Sequence, residues 1–297
     1  MKYLLIFFCL LPLASLYAQT WQDLTQSGMS AYRANQYAEA KKYWEKAKTQ
    51  AEKEFGTKHL NFATALNNLG LVCKTLGEYE QAEPLYKQAR DIVKVTEGEN
   101  SAFYASALNN LGELYRFLDK LTEAEKLHKQ ALVIREKLLG EEHTYCAQSY
   151  NNLALIYDEM KAYGKATEAY LQALTITSKA LGEKHQVHIR TLHNLAQIYA
   201  KQNNWEEAEK LFQQILKLRH ETTGNKHMDY VNTLCDLAML YYNQAKYAQA
   251  EPLLLEALNI KNELLSSNHQ ETKRTRYDLI EVYEKQGKVA EANMLKK

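Results

Sequence analysis

Three residue types in this sequence are spaced so that they could do chemistry: histidine, cysteine and asparagine. Histidines recur at His59, His143, His185, His227 and His269, a pattern that invites a metal centre. Their spacing argues against one. If each sits on its own helix and like helices pack side by side, neighbours lie about 10 Å apart. Zinc needs ligand nitrogens about 2 Å from one shared ion. The series cannot converge, and a linker role is expected instead. His188 and His193 lack the i, i+4 spacing, and neither H-E-x-x-H nor C-x-x-C occurs. Nucleophile signatures are also missing: there is no G-x-S-x-G elbow and no glycine-rich loop to cradle a phosphate. Cys73, Cys146 and Cys235 lie about two repeats apart, roughly 20 Å on the same packing. A disulfide needs Cα atoms within about 7 Å, so these are expected to be isolated thiols. The expectation is no catalytic residue, no metal and no cofactor.

Asparagine suggests binding. LNNLG stands at residues 66–70 and 108–112, and YNNLA at 150–154. Asparagine is a mediocre helix former because its side chain competes for nearby backbone groups. Repeated pairs of it inside a helical pattern call for a purpose, and an amide carrying two donors and an acceptor on a short stem supplies one.

The elements that position these residues follow from a repeat. Alanine recurs at Ala40, Ala82, Ala124, Ala166, Ala208, Ala250 and Ala292, always 42 residues apart. Leu69, Leu111, Leu153, Leu195, Leu237 and Leu279 keep the same step, as do Tyr115, Tyr157, Tyr199, Tyr241 and Tyr283. Each repeat holds two helical patterns. Leu66, Leu69, Gly70 and Cys73 share one face of the first; Ala82, Leu85, Tyr86 and Ala89 share one face of the second. A turn between them is centred on Asn35, Gly77, Asp119, Lys161, Asn203, Ala245 or Gly287, residues that mostly tolerate a left-handed backbone. The second helix stops at Gly56, Gly98, Gly140, Gly182 and Gly224, with Ser266 breaking the series. Gly28, Gly70, Gly112, Ala154, Ala196 and Ala238 keep the first helix close to the second. Repeats are expected near 24–65, 66–107, 108–149, 150–191, 192–233, 234–275 and 276–297.

The order L-x-x-L-G/A-x-x-Y, a turn, then E-A-x-x-x-Y/F-x-x-A resembles the tetratricopeptide repeat. The 42-residue length and the links FGTKH, LGEEH, LGEKH and TGNKH are similar to the kinesin-light-chain-like subclass, which is abundant in bacterial proteins. The first repeat departs at Ser27 and Ala31; the seventh departs at Ile280 and Lys296. The resemblance implies an all-α fold, a right-handed solenoid of about seven helix-turn-helix repeats whose first helices line a concave groove. It also implies a non-catalytic protein- or peptide-binding scaffold. The alternative is a regulatory or sensor subunit of a signalling or protease system whose catalytic part is a separate protein.

At about 100° per residue, Asn68 falls opposite the apolar face of its helix with Thr64, Leu71 and Thr75, and Asn67 falls on the flank. The opposite side is expected to face the groove. The Asn68 slot is filled by Gln26, Asn68, Asn110, Asn152, Asn194, Asp236 and Asp278. Carried over from the family, Asn68, Asn110, Asn152 and Asn194 would clamp the backbone of an extended peptide. Asn67, Asn109 and Asn151 form a second series that either joins them or bonds across neighbouring helices. Lys74 and Arg116 place basic groups near the rim, opposed by Glu113, Asp158 and Glu159.

Composition limits the remaining possibilities. With 37 basic and 36 acidic side chains in 297 residues, the chain lacks the cationic excess of a nucleic-acid-binding surface. Residues 1–18, MKYLLIFFCLLPLASLYA, read as a secretory signal peptide cleaved after Ala18, with an apolar run too short to span a bilayer. No later segment is apolar enough to cross a membrane. An exported bacterial protein, periplasmic or secreted, is the expectation. Its partner would be a protein or extended peptide; its oligomeric state is left open.

Overall fold

The computed structural model describes residues 20–296. The signal-peptide reading of residues 1–18 lies outside the described residues. Every element is α-helical, and by contacts the chain divides into two compact parts, one ending at Gly98 and one beginning at Glu99.

The first part holds α1 (Trp21–Arg33), α2 (Tyr37–Phe55), α3 (Leu60–Thr75) and α4 (Tyr79–Glu97). The second holds α5 (Ala102–Phe117), α6 (Leu121–Leu139), α7 (Thr144–Glu159), α8 (Tyr163–Leu181), α9 (Gln186–Lys201), α10 (Trp205–Thr223), α11 (Met228–Asn243), α12 (Tyr247–Leu264), α13 (Gln270–Lys285) and α14 (Val289–Leu295). Within each part every helix packs on the ones before and after it, which defines an all-α solenoid of helix-turn-helix hairpins.

The hairpin turn is built the same way each time. Asn35, Asp119, Lys161, Asn203 and Ala245 all hold φ between 57° and 61°. The amide three residues past the end of α3, at Glu78, then donates back to Cys73 O at 2.8 Å, and Ala162 donates to Tyr157 O at 2.7 Å. This six-to-one bond over a left-handed residue satisfies a carbonyl that a helix end would otherwise leave open. The next turn, into the following odd-numbered helix, starts from a glycine such as Gly140 at φ 84°. At Ser266, φ is 101°, so serine takes the same left-handed role there.

The packing that fixes each hairpin is a small residue against a ring. A Cβ built on Gly28 would stand 2.4 Å from the Trp44 ring; on Gly70, 3.0 Å from Tyr86; on Gly112, 2.9 Å from His128. The close approach expected at these positions is therefore to an aromatic side chain. The alanines at 40, 82, 124, 166, 208 and 250 are fully buried beside it. Ile280 fills the small-residue slot of the last hairpin, where α14 ends after seven residues.

The histidine series has a structural role that the sequence reading left as a linker. His59, His143, His185, His227 and His269 are each the N-cap of an odd-numbered helix, and each Nδ1 accepts from the backbone amide two residues on. Ser101 fills that slot before α5 and accepts from the amide of Tyr104.

Candidate peptide-binding face

The odd-numbered helices lie side by side, and their side chains meet in a fixed register. In the first part, Tyr32 and Thr75 hydroxyls bond at 2.9 Å. In the second, Asn152 Nδ2 donates to Asn109 Oδ1 at 3.0 Å, Arg116 to Glu159 at 2.5 Å, and Lys201 to both oxygens of Asp158 at 2.7 Å. His193 Nε2 lies 2.7 Å from Asp236 Oδ2. Every one of these pairs is 43 residues apart, one more than the repeat. The Asn67-type slot of one helix therefore sits beside the Asn68-type slot of the next.

This register changes what the asparagines can do. Asn68 is 8% exposed and Asn109 only 5%, so the groove-facing position expected for Asn68 is largely covered, and Asn109 bonds across neighbouring helices, one of the two roles its series left open. A helix inside an array is flanked on both sides, and the wheel's opposite face is not all solvent. Asn67, Asn110, Asn151, Asn152 and Asn194 are half-buried. Asn151 accepts from Thr191 at 3.1 Å, and Asn194 stands near the Tyr170 hydroxyl. Asn152 commits one N–H to Asn109, and no other bond of its amide is recorded among the described residues. Lys74 is half-buried. The Arg116 guanidinium is held by Glu159 and stacks 4.5 Å from the Phe117 ring centre, so it is part of the wall rather than a loose rim cation.

Polar links also run from the even-numbered helices. Arg135, 5% exposed, sends Nη1 to Tyr145 O at 3.0 Å and to Ser149 Oγ at 2.7 Å. One repeat on, Thr177 bonds His188 at 3.0 Å; one further, Arg219 bonds Asp229 O and Thr233 Oγ1. Lys261 closes the series against Glu271 at 3.3 Å. Burial pulls the pKa of both arginines down. Positions 135, 177, 219 and 261 keep the 42-residue step of the repeat.

Between α9, α11 and α13 the face deepens into a pocket of about 570 Å³. Its wall includes Gln197, Asp236, Met239, Lys261, Arg274 and Asp278. Desolvation pushes the Asp278 carboxyl above the usual aspartate range, against the opposing pull of Arg274.

No three His, Cys, Asp or Glu side chains converge as metal ligands among the described residues. Burial pushes the Cys73 thiol up to about 11 and raises Cys146 and Cys235 as well, which keeps all three as thiols. No described helix is long and apolar enough to cross a membrane.

Hairpins of two helices stacked in a constant register define the α-solenoid class. The tetratricopeptide repeat model matches residues 23–94, 103–179, 163–221, 187–263 and 229–297, and the chain belongs to the tetratricopeptide repeat family. Solved structures agree on the fold. BtubC (BKLC) from P. vanneervenii superposes with a TM-score of 0.64 at 20% identity, covering 81% of this chain and 92% of that one. A kinesin light chain from P. anserina with nearly identical TPR-like repeats gives 0.63 at 23%, covering 70% and 98%. A signal transduction ATPase with numerous domains from Pyrococcus horikoshii, carrying a tetratricopeptide repeat sensor, gives 0.72 at 17%, covering 92% of this chain and 41% of that one. No curated protein matches the chain in sequence.

Proposed function

We propose that this protein is a non-catalytic scaffold that binds an extended peptide along the face of its odd-numbered helices. The observation that carries the reading is the half-buried amide of Asn152. One N–H is spent on Asn109, and a carbonyl oxygen and a second N–H remain to meet a peptide backbone. Asn110 and Asn194 occupy the same slot on the flanking helices. Binding is stoichiometric, with backbone contacts giving affinity and the side chains around them giving selectivity. The test is the affinity of a peptide selected on the wild-type protein for the triple variant N110A/N152A/N194A. A loss of tenfold or more is expected; unchanged affinity overturns the clamp.

A second reading is a regulatory or sensor subunit. It is favoured by the likeness to the P. horikoshii protein, whose repeats are described as a sensor. Co-purification with a separate enzyme would support it. Export is proposed from residues 1–18, and a protein beginning at Gln19, recovered from outside the cytoplasm, is the expected product.

A further inference from the structure

The 43-residue register sets each side chain of the Asn68 slot against one on the preceding odd-numbered helix. Asn152 meets Asn109, and Asp236 meets His193. The same rule sets Asp278 on α13 against Cys235 on α11, and there it supplies no counter-charge. Cys235 Sγ turns instead to Thr275 Oγ1 at 3.8 Å. Among the described residues Asp278 makes no hydrogen bond or ion pair, although it is half-buried.

Asp278 borders the pocket of about 570 Å³, and the two cations built into that pocket do not neutralise it. Lys261 is 5% exposed and engages Glu271 at 3.3 Å. Arg274 stands one turn before Asp278 on the same helix, exposed, and forms no ion pair with it. Asp236 adds a second carboxylate, and Met239 adds an apolar wall.

Resting on the groove reading, we propose that this pocket is a subsite for a lysine or arginine side chain of the bound peptide, with Asp278 as its counter-charge. A cationic head would give the desolvated carboxylate the charge-assisted bond it lacks. The aliphatic stem would lie on Met239, whose flexible thioether adapts to such a partner. An acidic or a neutral side chain would leave Asp278 desolvated and unpaired, even where an acidic one reached Arg274, so both are selected against.

A random linear peptide library displayed on phage, panned on the purified wild-type protein and on D278N, tests this. Wild type is expected to yield peptides with Lys or Arg at one fixed position, and D278N to lose that preference. Titration calorimetry with a selected peptide is expected to give at least tenfold weaker binding to D278N. Replacing the fixed Lys by norleucine should weaken binding to wild type by a similar factor, a readout that does not depend on the variant folding. Binders without a basic preference, or with the same preference on D278N, overturn the subsite and leave the groove reading standing. No binders at all overturns both.

Discussion

Asn152 on α7 donates its amide hydrogen to Asn109 on α5, 3.0 Å away, and the acceptor is almost completely buried. The bond ties two odd-numbered helices directly to each other, without passing through the even-numbered helix between them. Each asparagine alone replaced by alanine leaves its partner's polar group unsatisfied, at a cost of about 1–3 kcal/mol for the buried side. The double variant removes both groups. A double-mutant cycle by denaturant unfolding should therefore give a coupling energy of about 0.5–1.5 kcal/mol. A coupling near zero would mean the bond does not hold these helices.

His128 takes the ring position that Tyr86 and Tyr170 fill elsewhere, and its Nδ1 has no hydrogen-bond partner among the described residues. Burial, aided by the charges of Arg135 and Arg116, drops its pKa to about 3. Unfolded, the same imidazole titrates near 6.5. Between those values the unfolded chain binds a proton that the folded chain refuses. The stability held by neutral His128 is thus complete above about pH 6.5 and is lost as pH falls toward 3, at up to about 1.4 kcal/mol per unit. His188, also lowered by burial, adds in the same direction. H128F should flatten the fall in melting temperature over that window relative to wild type.

Gly28 and Gly112 should respond unequally to alanine. At Gly28 the new methyl meets a Trp44 ring that is fully buried and cannot retreat. Overpacking of this kind costs about 1–3 kcal/mol. At Gly112 the obstruction is the far edge of the equally buried His128 at 2.9 Å, a milder clash than 2.4 Å, and better helix propensity returns up to about 1 kcal/mol. Thermal melts should rank G28A well below G112A.

Arg135 is a buried cation that donates to a carbonyl and a hydroxyl and lies 5.4 Å from the Tyr145 ring centre, and among the described residues it pairs with no carboxylate. Methionine keeps the length of the side chain but takes the donor away from Ser149 Oγ, itself fully buried, so R135M should lose about 1–3 kcal/mol. R135A also opens a cavity, and should lose roughly 2–4 kcal/mol. Equal losses in the two would show that the charge itself stabilises the array.

The sequence made the repeat plain because its step never slips, and the turn residues, helix stops and small-against-large packing all follow from one 42-residue ruler. The candidate face was only half legible. Periodicity says which residues are equivalent, but not how far one helix is shifted along its neighbour. That shift sets Asn109 against Asn152 and gives Arg116 to Glu159. Helical angles drawn on one helix carry no information about a neighbour packed on its flank. The histidine caps were overlooked because serine, threonine, aspartate and asparagine are the usual N-caps. Ser101, standing in the same slot as the histidines, was the available hint.

A step of 43 between touching side chains, set over a repeat of 42, means that altering one position loads its diagonal neighbour rather than its counterpart. Related arrays that diverge under selection for stability should carry compensating exchanges at residue pairs such as 109 with 152, 116 with 159 and 193 with 236. Grafting a hairpin from elsewhere in the chain would then succeed or fail on the oblique fit at both of its edges, however faithfully the graft preserves repeat length.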